Sequence, residues 1–206
     1  MKRFRMSRRP KMTRALVVFC HPIRRSFAGA ILDRCVESLH GSGVEVRVLD
    51  LYAEEFQPVL PRAEWQAYHS DEAIAASPVQ AHIDLLRWAD ALVLVYPTWF
   101  GSQPAMLKGW FDRVWLPGVA FSLPRRWGPL RPRLGNIRSF SVVTTHGSSK
   151  LLNSVQGEPG KRVALRGLRT LCHWRCRTDW IAFYGNDQAT TALRERFLDR
   201  VGDHFR

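Results

Sequence analysis

Residues 91–97 read ALVLVYP, and residues 15–20 read ALVVFC. Each is an unbroken apolar run of strand length, rich in Val and Leu. A strand that alternated between core and water would show every second residue polar. Neither run does, so both read as strands buried on two faces, the mark of a parallel sheet covered by helices above and below. Working outward, VEVRVLDL at 44–51, IRSFSVVTT at 137–145 and TDWIAFYG at 178–185 supply three more strands. Between them the pattern turns helical. Ala28, Ile31, Cys35 and Leu39 form one stripe after Ser26, a residue suited to cap a helix start, and Gly41-Ser42-Gly43 ends it. Ser77-Pro78 opens a second helix with Val79, Ile83 and Leu86, and Pro104 a third with Leu107, Trp110, Phe111 and Val114 facing inward. Residues 53–76 read as a loop with a short helix and 117–135 as an irregular excursion. A helix is expected from Pro159 to about Leu171, and a closing helix over 188–204. Strands alternating with helices predict an α/β fold, a doubly wound five-stranded parallel sheet of order 2-1-3-4-5 with helices on both faces.

The rest of the composition narrows the class. The chain has 206 residues, 46% hydrophobic and 24% charged, as ordinary globular proteins have. No apolar run approaches the roughly 18 to 20 residues of a membrane span. The net charge is +13, and more than half of that excess sits in residues 1–14, which hold seven Lys and Arg and no acid. Residues 1–13 are therefore read as a basic, disordered tail and 14–206 as one domain. The pair Arg8-Arg9 lacks the longer apolar stretch of an export signal, and a solvated tail is favoured over nucleic-acid binding. Four scattered cysteines, Cys20, Cys35, Cys172 and Cys176, point to a reducing cytoplasm rather than a disulfide framework. Cys172-His173-x-x-Cys176 is half a zinc motif without a second half, so no metal is expected.

In such sheets ligands bind beyond the carboxyl ends of the strands. Three loops are therefore the ones to read: 20–28, 97–103 and 144–150. The first, CHPIRRSF, has neither Gly-x-Gly-x-x-Gly nor a Walker A motif, but offers His21, Arg24, Arg25 and Ser26 at a helix start, where free N–H groups attract phosphate. Ser26 alone serves equally as a plain cap. The second, PTWFG at 97–101, places two large aromatics at the end of a sheet, either as walls for a flat heterocycle or as a cap over the sheet. The third, TTHGSSK, is small and polar around Gly147 and fits the far edge of the same ring or an ordinary turn.

Together VVFCHPIRRSFAGAIL, DLYAEEFQPVL and YPTWFGSQPAMLKGWFDRVWLPGVAF resemble the NAD(P)H:quinone oxidoreductase family of flavodoxin-like flavoproteins. That family includes mammalian-type quinone reductases, bacterial relatives and the ancillary proteins of Kef potassium channels. The resemblance runs from about residue 14 to 200. It implies an enzyme passing hydride from NAD(P)H through flavin N5 to a quinone or similar small-molecule acceptor, cytoplasmic and homodimeric. FMN is favoured over FAD. The resemblance places His21, Ser26 and Phe27 on the flavin phosphate side, and Pro97, Thr98, Trp99 and Phe100 along the isoalloxazine. It places Thr145, His146 and Gly147 over the pyrimidine edge, and Phe121 over the active face, often from the dimer partner. Backbone N–H groups of 98–100 and 145–147 are expected to face the ring. No nucleophilic side chain is expected. Ala28 stands where many members have Asn, and Leu152 where mammalian-type enzymes have a Tyr, whose His partner is also missing. Lys161, Arg162, Arg166 and Arg169 form a candidate cationic patch for a nucleotide phosphate, or a solvated helix face. A membrane-transporter partner and a flavodoxin-type electron carrier are the competing readings.

Overall fold

A computed structural model describes residues 12–68, 78–124 and 128–206. Basic residues 1–11 of the expected tail lie outside that set. Five strands form the sheet: β1 (Arg14–Phe19), β2 (Glu45–Asp50), β3 (Ala91–Pro97), β6 (Ser139–His146) and β7 (Arg177–Tyr184). Their order is β2-β1-β3-β6-β7, every neighbouring pair parallel, which is the expected 2-1-3-4-5 topology. The helices are α1 (Phe27–Gly41), α2 (Arg62–Ala67), α3 (Gln80–Trp88), α4 (Ala105–Val114), α5 (Lys150–Val155), α6 (Pro159–Arg162) and α7 (Thr191–Phe205).

The two apolar runs that decide the fold are also what the helices cover. Leu16, Val18, Leu92 and Leu94 face α3 and α4, meeting Ile83, Leu86, Leu107 and Trp110. Val17, Phe19, Val93 and Val95 alternate to the other face and meet Ile31 and Leu32 of α1 and Phe197 and Val201 of α7. The β1 and β3 runs are thus apolar on both faces because both faces are core.

Under α4 one polar contact is buried with the core. The Trp110 indole N–H donates to His82 Nδ1 at 3.1 Å, and Glu54 Oε2 lies 3.0 Å from His82 Nε2. Burial holds the His82 pKa below its ordinary value, against the opposing pull of Glu54. A depressed histidine pKa means that the unfolded chain binds the extra proton first, so stability falls as pH drops below the ordinary histidine range near ~6.5. Melting temperatures are expected to fall from pH 8 to pH 5. His82→Gln should flatten that slope, and an unchanged slope would refute the assignment.

Three segments differ from the sequence reading. The excursion after α4 contains a two-stranded antiparallel ribbon, β4 (Phe121–Ser122) with β5 (Arg131–Pro132). Helix α5, capped by Ser149 through the Leu152 N–H, was not anticipated. The helix from Pro159 does not continue regularly to Leu171. It widens to a π turn over Val163–Gly167 and tightens to 3-10 over Leu168–Leu171. Its two ends are fastened to different partners: the Gly160 N–H donates to Gly101 O, and the Leu134 N–H to Leu171 O.

Candidate functional site

The ends of β1, β3 and β6 carry the three loops. In the first, the Ile23 N–H donates to His21 Nδ1 at 3.0 Å, and the Ser26 hydroxyl lies 3.2 Å from the same nitrogen. Ile23 O lies 2.9 Å from that nitrogen as well, so Nδ1 serves as acceptor for the Ile23 N–H in one tautomer and as donor to the Ile23 carbonyl in the other. Ser26 is extended and caps α1, its hydroxyl accepting the Gly29 N–H at 3.2 Å. The N–H groups of Phe27 and Ala28 precede the first possible i−4 carbonyls of the helix and so remain donors for an anion. Arg24, expected to join them, turns back to Asp33 of α1. Burial pushes the neighbouring Cys20 thiol up to about 12, so it stays protonated and unreactive.

In the second loop, Thr98 donates both its N–H (2.9 Å) and its hydroxyl (3.0 Å) to Thr145 O, bolting the ends of β3 and β6 together. Trp99 and Ser102 exchange two backbone bonds of 3.0 Å around Phe100-Gly101. Both turn residues have positive φ, 48° and 71°, the combination of a primed tight turn. Phe100 is thereby fully exposed at the tip and Trp99 is 61% exposed, so neither ring caps the sheet. The turn is braced from behind by Gly160, where an added Cβ would lie 2.8 Å from Gly101 O. The Gly160 carbonyl also accepts from Gln103 Nε2 at 3.0 Å.

The third loop begins later than the sequence reading has it. β6 runs through His146, whose register partner is Tyr184 of β7. The imidazole is 3% exposed and stacks on the Tyr184 ring, centroids 4.6 Å apart and planes 20° apart. Burial lowers its pKa, favouring the neutral ring. The His146 ring is thus held inside, Thr145 is buried next to it, and the loop proper starts at Gly147. A side chain at Gly147 would collide with the Asp187 carboxylate. Of the backbone donors expected to face a ring, those of Thr98 and Trp99 are already taken by Thr145 and Ser102. Phe100 and Gly147 are left in that role.

One residue the sequence reading missed stands beside the first loop. Arg194, in the first turn of α7, lies 5.6 Å above the Phe27 ring and donates through Nη2 to Asn186 O at 3.0 Å. Its Nε is buried without a hydrogen-bond partner. A guanidinium at the positive end of a helix, with an unspent buried donor, is arranged for an anion. Nothing local in the sequence singles Arg194 out, because the closing helix also carries Arg196 and Arg200. The Phe27 ring packs on Phe183 and Phe197, so this residue contributes backbone rather than ring to the cluster.

Other expected residues are not brought to these loops. Phe121 lines a separate apolar cavity of about 460 Å³ with Trp65, Phe111, Trp115, Val163 and Leu168. The cationic patch is divided: Lys161 pairs with Glu158 at 2.8 Å, while Arg169 donates to the carbonyls of Trp174 and Cys176. Glu158, at φ 46°, also accepts from the Tyr184 hydroxyl at 2.8 Å.

Residues 13–203 match the family model described as flavodoxin-like fold. The chain belongs to the flavodoxin-like fold family. Within that family it is 31% identical over 167 residues to NAD(P)H dehydrogenase [quinone] 1 of Cavia porcellus, covering 71% of this chain and 59% of that one. It is 38% identical over 107 residues to an uncharacterized NAD(P)H oxidoreductase of Haemophilus influenzae, covering 52% of each. It thus spans little more than half the length of these curated relatives. A solved NAD(P)H:quinone oxidoreductase from Methanothermobacter marburgensis superposes with TM-score 0.77 at 27% identity, covering 95% of this chain and 96% of that one.

Proposed function

We propose that this flavodoxin-like chain is a flavin-dependent NAD(P)H oxidoreductase acting on a quinone or a similar flat acceptor. The observation that carries the reading is the anion cluster of Ser26, His21, the Phe27 and Ala28 N–H groups and the unspent Arg194 Nε, beside an exposed aromatic turn. A flavin phosphate matches the first part and a planar ring the second. When bound, the flavin supplies the redox chemistry, taking hydride from the nicotinamide and delivering electrons to the acceptor.

The protein's own part is holding and shaping. Ser26, His21 and Arg194 fix the phosphate by charge-assisted hydrogen bonds. The Thr98–Thr145 link keeps two loops at constant separation, so the ring meets preorganised backbone donors at Phe100 and Gly147. Trp99 and Phe100 supply apolar walls that exclude water and stack flat substrates. No side chain acts as a nucleophile. We favour FMN over FAD because the cluster gathers its donors around a single phosphate position. A homodimer follows the same reading: Phe121, set apart from its own loops, would serve a second copy's site. A cytoplasmic location belongs to the same reading, since the four cysteines are all free thiols, and no described helix is long and apolar enough to cross a membrane.

The test is a visible absorption spectrum of freshly purified protein, with mass determination of any acid-released chromophore, followed by NAD(P)H oxidation with a benzoquinone. A yellow two-band spectrum and quinone-dependent turnover are expected, and the released mass decides between FMN and FAD. A colourless protein that takes up neither added flavin, or a flavin-loaded protein inert with every quinone, would sink the proposal.

A further inference from the structure

The open edge of the sheet, β7, borders a second cavity of about 640 Å³ that the proposed function leaves unused. Its floor is Trp180 and Tyr184. Lys150 of α5, Lys161 of α6, and Arg200, Asp203 and His204 of α7 belong to its lining. None of His21, Ser26, Thr98, Trp99, Phe100 or Arg194 lines it.

The charges around this cavity are unevenly answered. Lys161 is paired with Glu158, and Asp203 with Arg206 at 2.9 Å. Lys150 makes no ion pair among the described residues. Arg200 spends one N–H on the Ala182 carbonyl at 2.8 Å and lies over the Phe197 ring, and it makes no ion pair among the described residues. Lys150 and Arg200 thus line a shared concavity without an ion-pair partner of their own among the described residues, while Asp203, the carboxylate in the same lining, is paired with Arg206. Lys161 keeps ammonium donors beyond the one given to Glu158. Three helices and an edge strand bring these groups together from positions 150 to 203, so the cluster is not a run of neighbouring charges on one solvated helix face.

The volume falls within the range of small-molecule sites, and the lining combines aromatic floor with cationic walls. We infer that this cavity is a second binding site, for a flat aromatic compound carrying a phosphate group. The ring lies on Trp180 and Tyr184, and the phosphate sits between Lys150 and Arg200, with Lys161 within the same wall. The site is separate from the flavin loops but touches them through one contact, because Tyr184 stacks on His146 at the end of β6. The inference does not rest on the redox reading, and a protein that binds no flavin can still be tested for it.

Adenosine monophosphate is the probe, titrated calorimetrically into the flavin-loaded protein and, separately, into flavin-free protein. One saturable site is expected in both forms. Lys150→Glu combined with Arg200→Glu should weaken it by more than about tenfold, each lost charged contact contributing. Arg200→Gln, which keeps a donor for the Ala182 carbonyl, should weaken it less and controls for disturbance of α7. Flavin affinity should be the same in all variants. Four outcomes overturn the inference. They are no saturable binding, binding untouched by the double charge reversal, inorganic phosphate binding as tightly as the nucleotide, and binding seen only when flavin is absent. The last would place the probe at the phosphate cluster of α1 instead.

Discussion

Arg194→Ala lowers flavin affinity by about 10- to 100-fold and leaves the fold intact. The magnitude is that of one hydrogen bond to a charged group, about 1.5–3 kcal/mol, with each 1.4 kcal/mol worth about tenfold. The structural cost is small because the side chain's protein contacts are few: one bond to the Asn186 carbonyl and a ring contact with Phe27. Its buried Nε has no partner within the described protein, so truncation removes a donor that the fold does not use. Arg194→Lys keeps the charge but loses the planar fork, and should recover only part of the affinity. Fluorescence titration of flavin-free protein measures the change, with urea unfolding alongside. Unaltered flavin affinity would remove Arg194 from the site, and loss of affinity matched by loss of stability would make its role structural.

Trp110→Ala destabilises the protein by about 3–5 kcal/mol, the range for a large aromatic removed from a core. The ring is fully buried, packs against Phe111 and Trp115 at centroid distances of 5.4 and 6.4 Å, and donates to His82. Trp110→Phe separates the two contributions. It restores most of the volume and still strands the buried His82 Nδ1, for which about 1–3 kcal/mol is expected. α4 begins at Ala105, three residues after Ser102 closes the aromatic turn, so looseness here is transmitted to the loop holding Trp99 and Phe100. Equilibrium urea unfolding of the two variants gives both numbers. If Phe costs as much as Ala, the hydrogen bond and not the packing dominates.

The fold was legible where local pattern and tertiary environment agree. ALVVFC and ALVLVYP are apolar at every position because their residues meet core on both faces, and that alone implies a parallel sheet with helices on either side. Ser26 was legible as a cap, since capping is a local matter between a hydroxyl and an N–H three residues on. The tight turn at Phe100-Gly101 was only half legible. Gly101 at positive φ is ordinary, while Phe100 in the same region depends on Gly160 bracing the turn from a segment 60 residues away.

His146 shows why the rest of the site was hidden. In sequence it stands in a small polar loop. In the structure β6 extends by one residue, because Tyr184 on β7 offers a ring to stack on, and the side chain turns into the interior. Lys161 and Arg169 read as one cationic face at helical spacing. The widened π turn between them breaks that face, sending one side chain to Glu158 and the other to the carbonyls before β7. Arg194 lay 168 positions from Ser26, and nothing local to it names a partner.

The strands, their parallel order, the three loops at their carboxyl ends and the family resemblance those loops carry are all readable from the order of residues. These follow from burial periodicity and caps, which act within a few residues. Tertiary structure alone decided which donors in the loops remain unspent, where Phe121 lies, and which cations share a cavity. Those depend on hydrogen bonds and charges meeting across the sheet, between residues whose separation along the chain carries no trace of their distance in space.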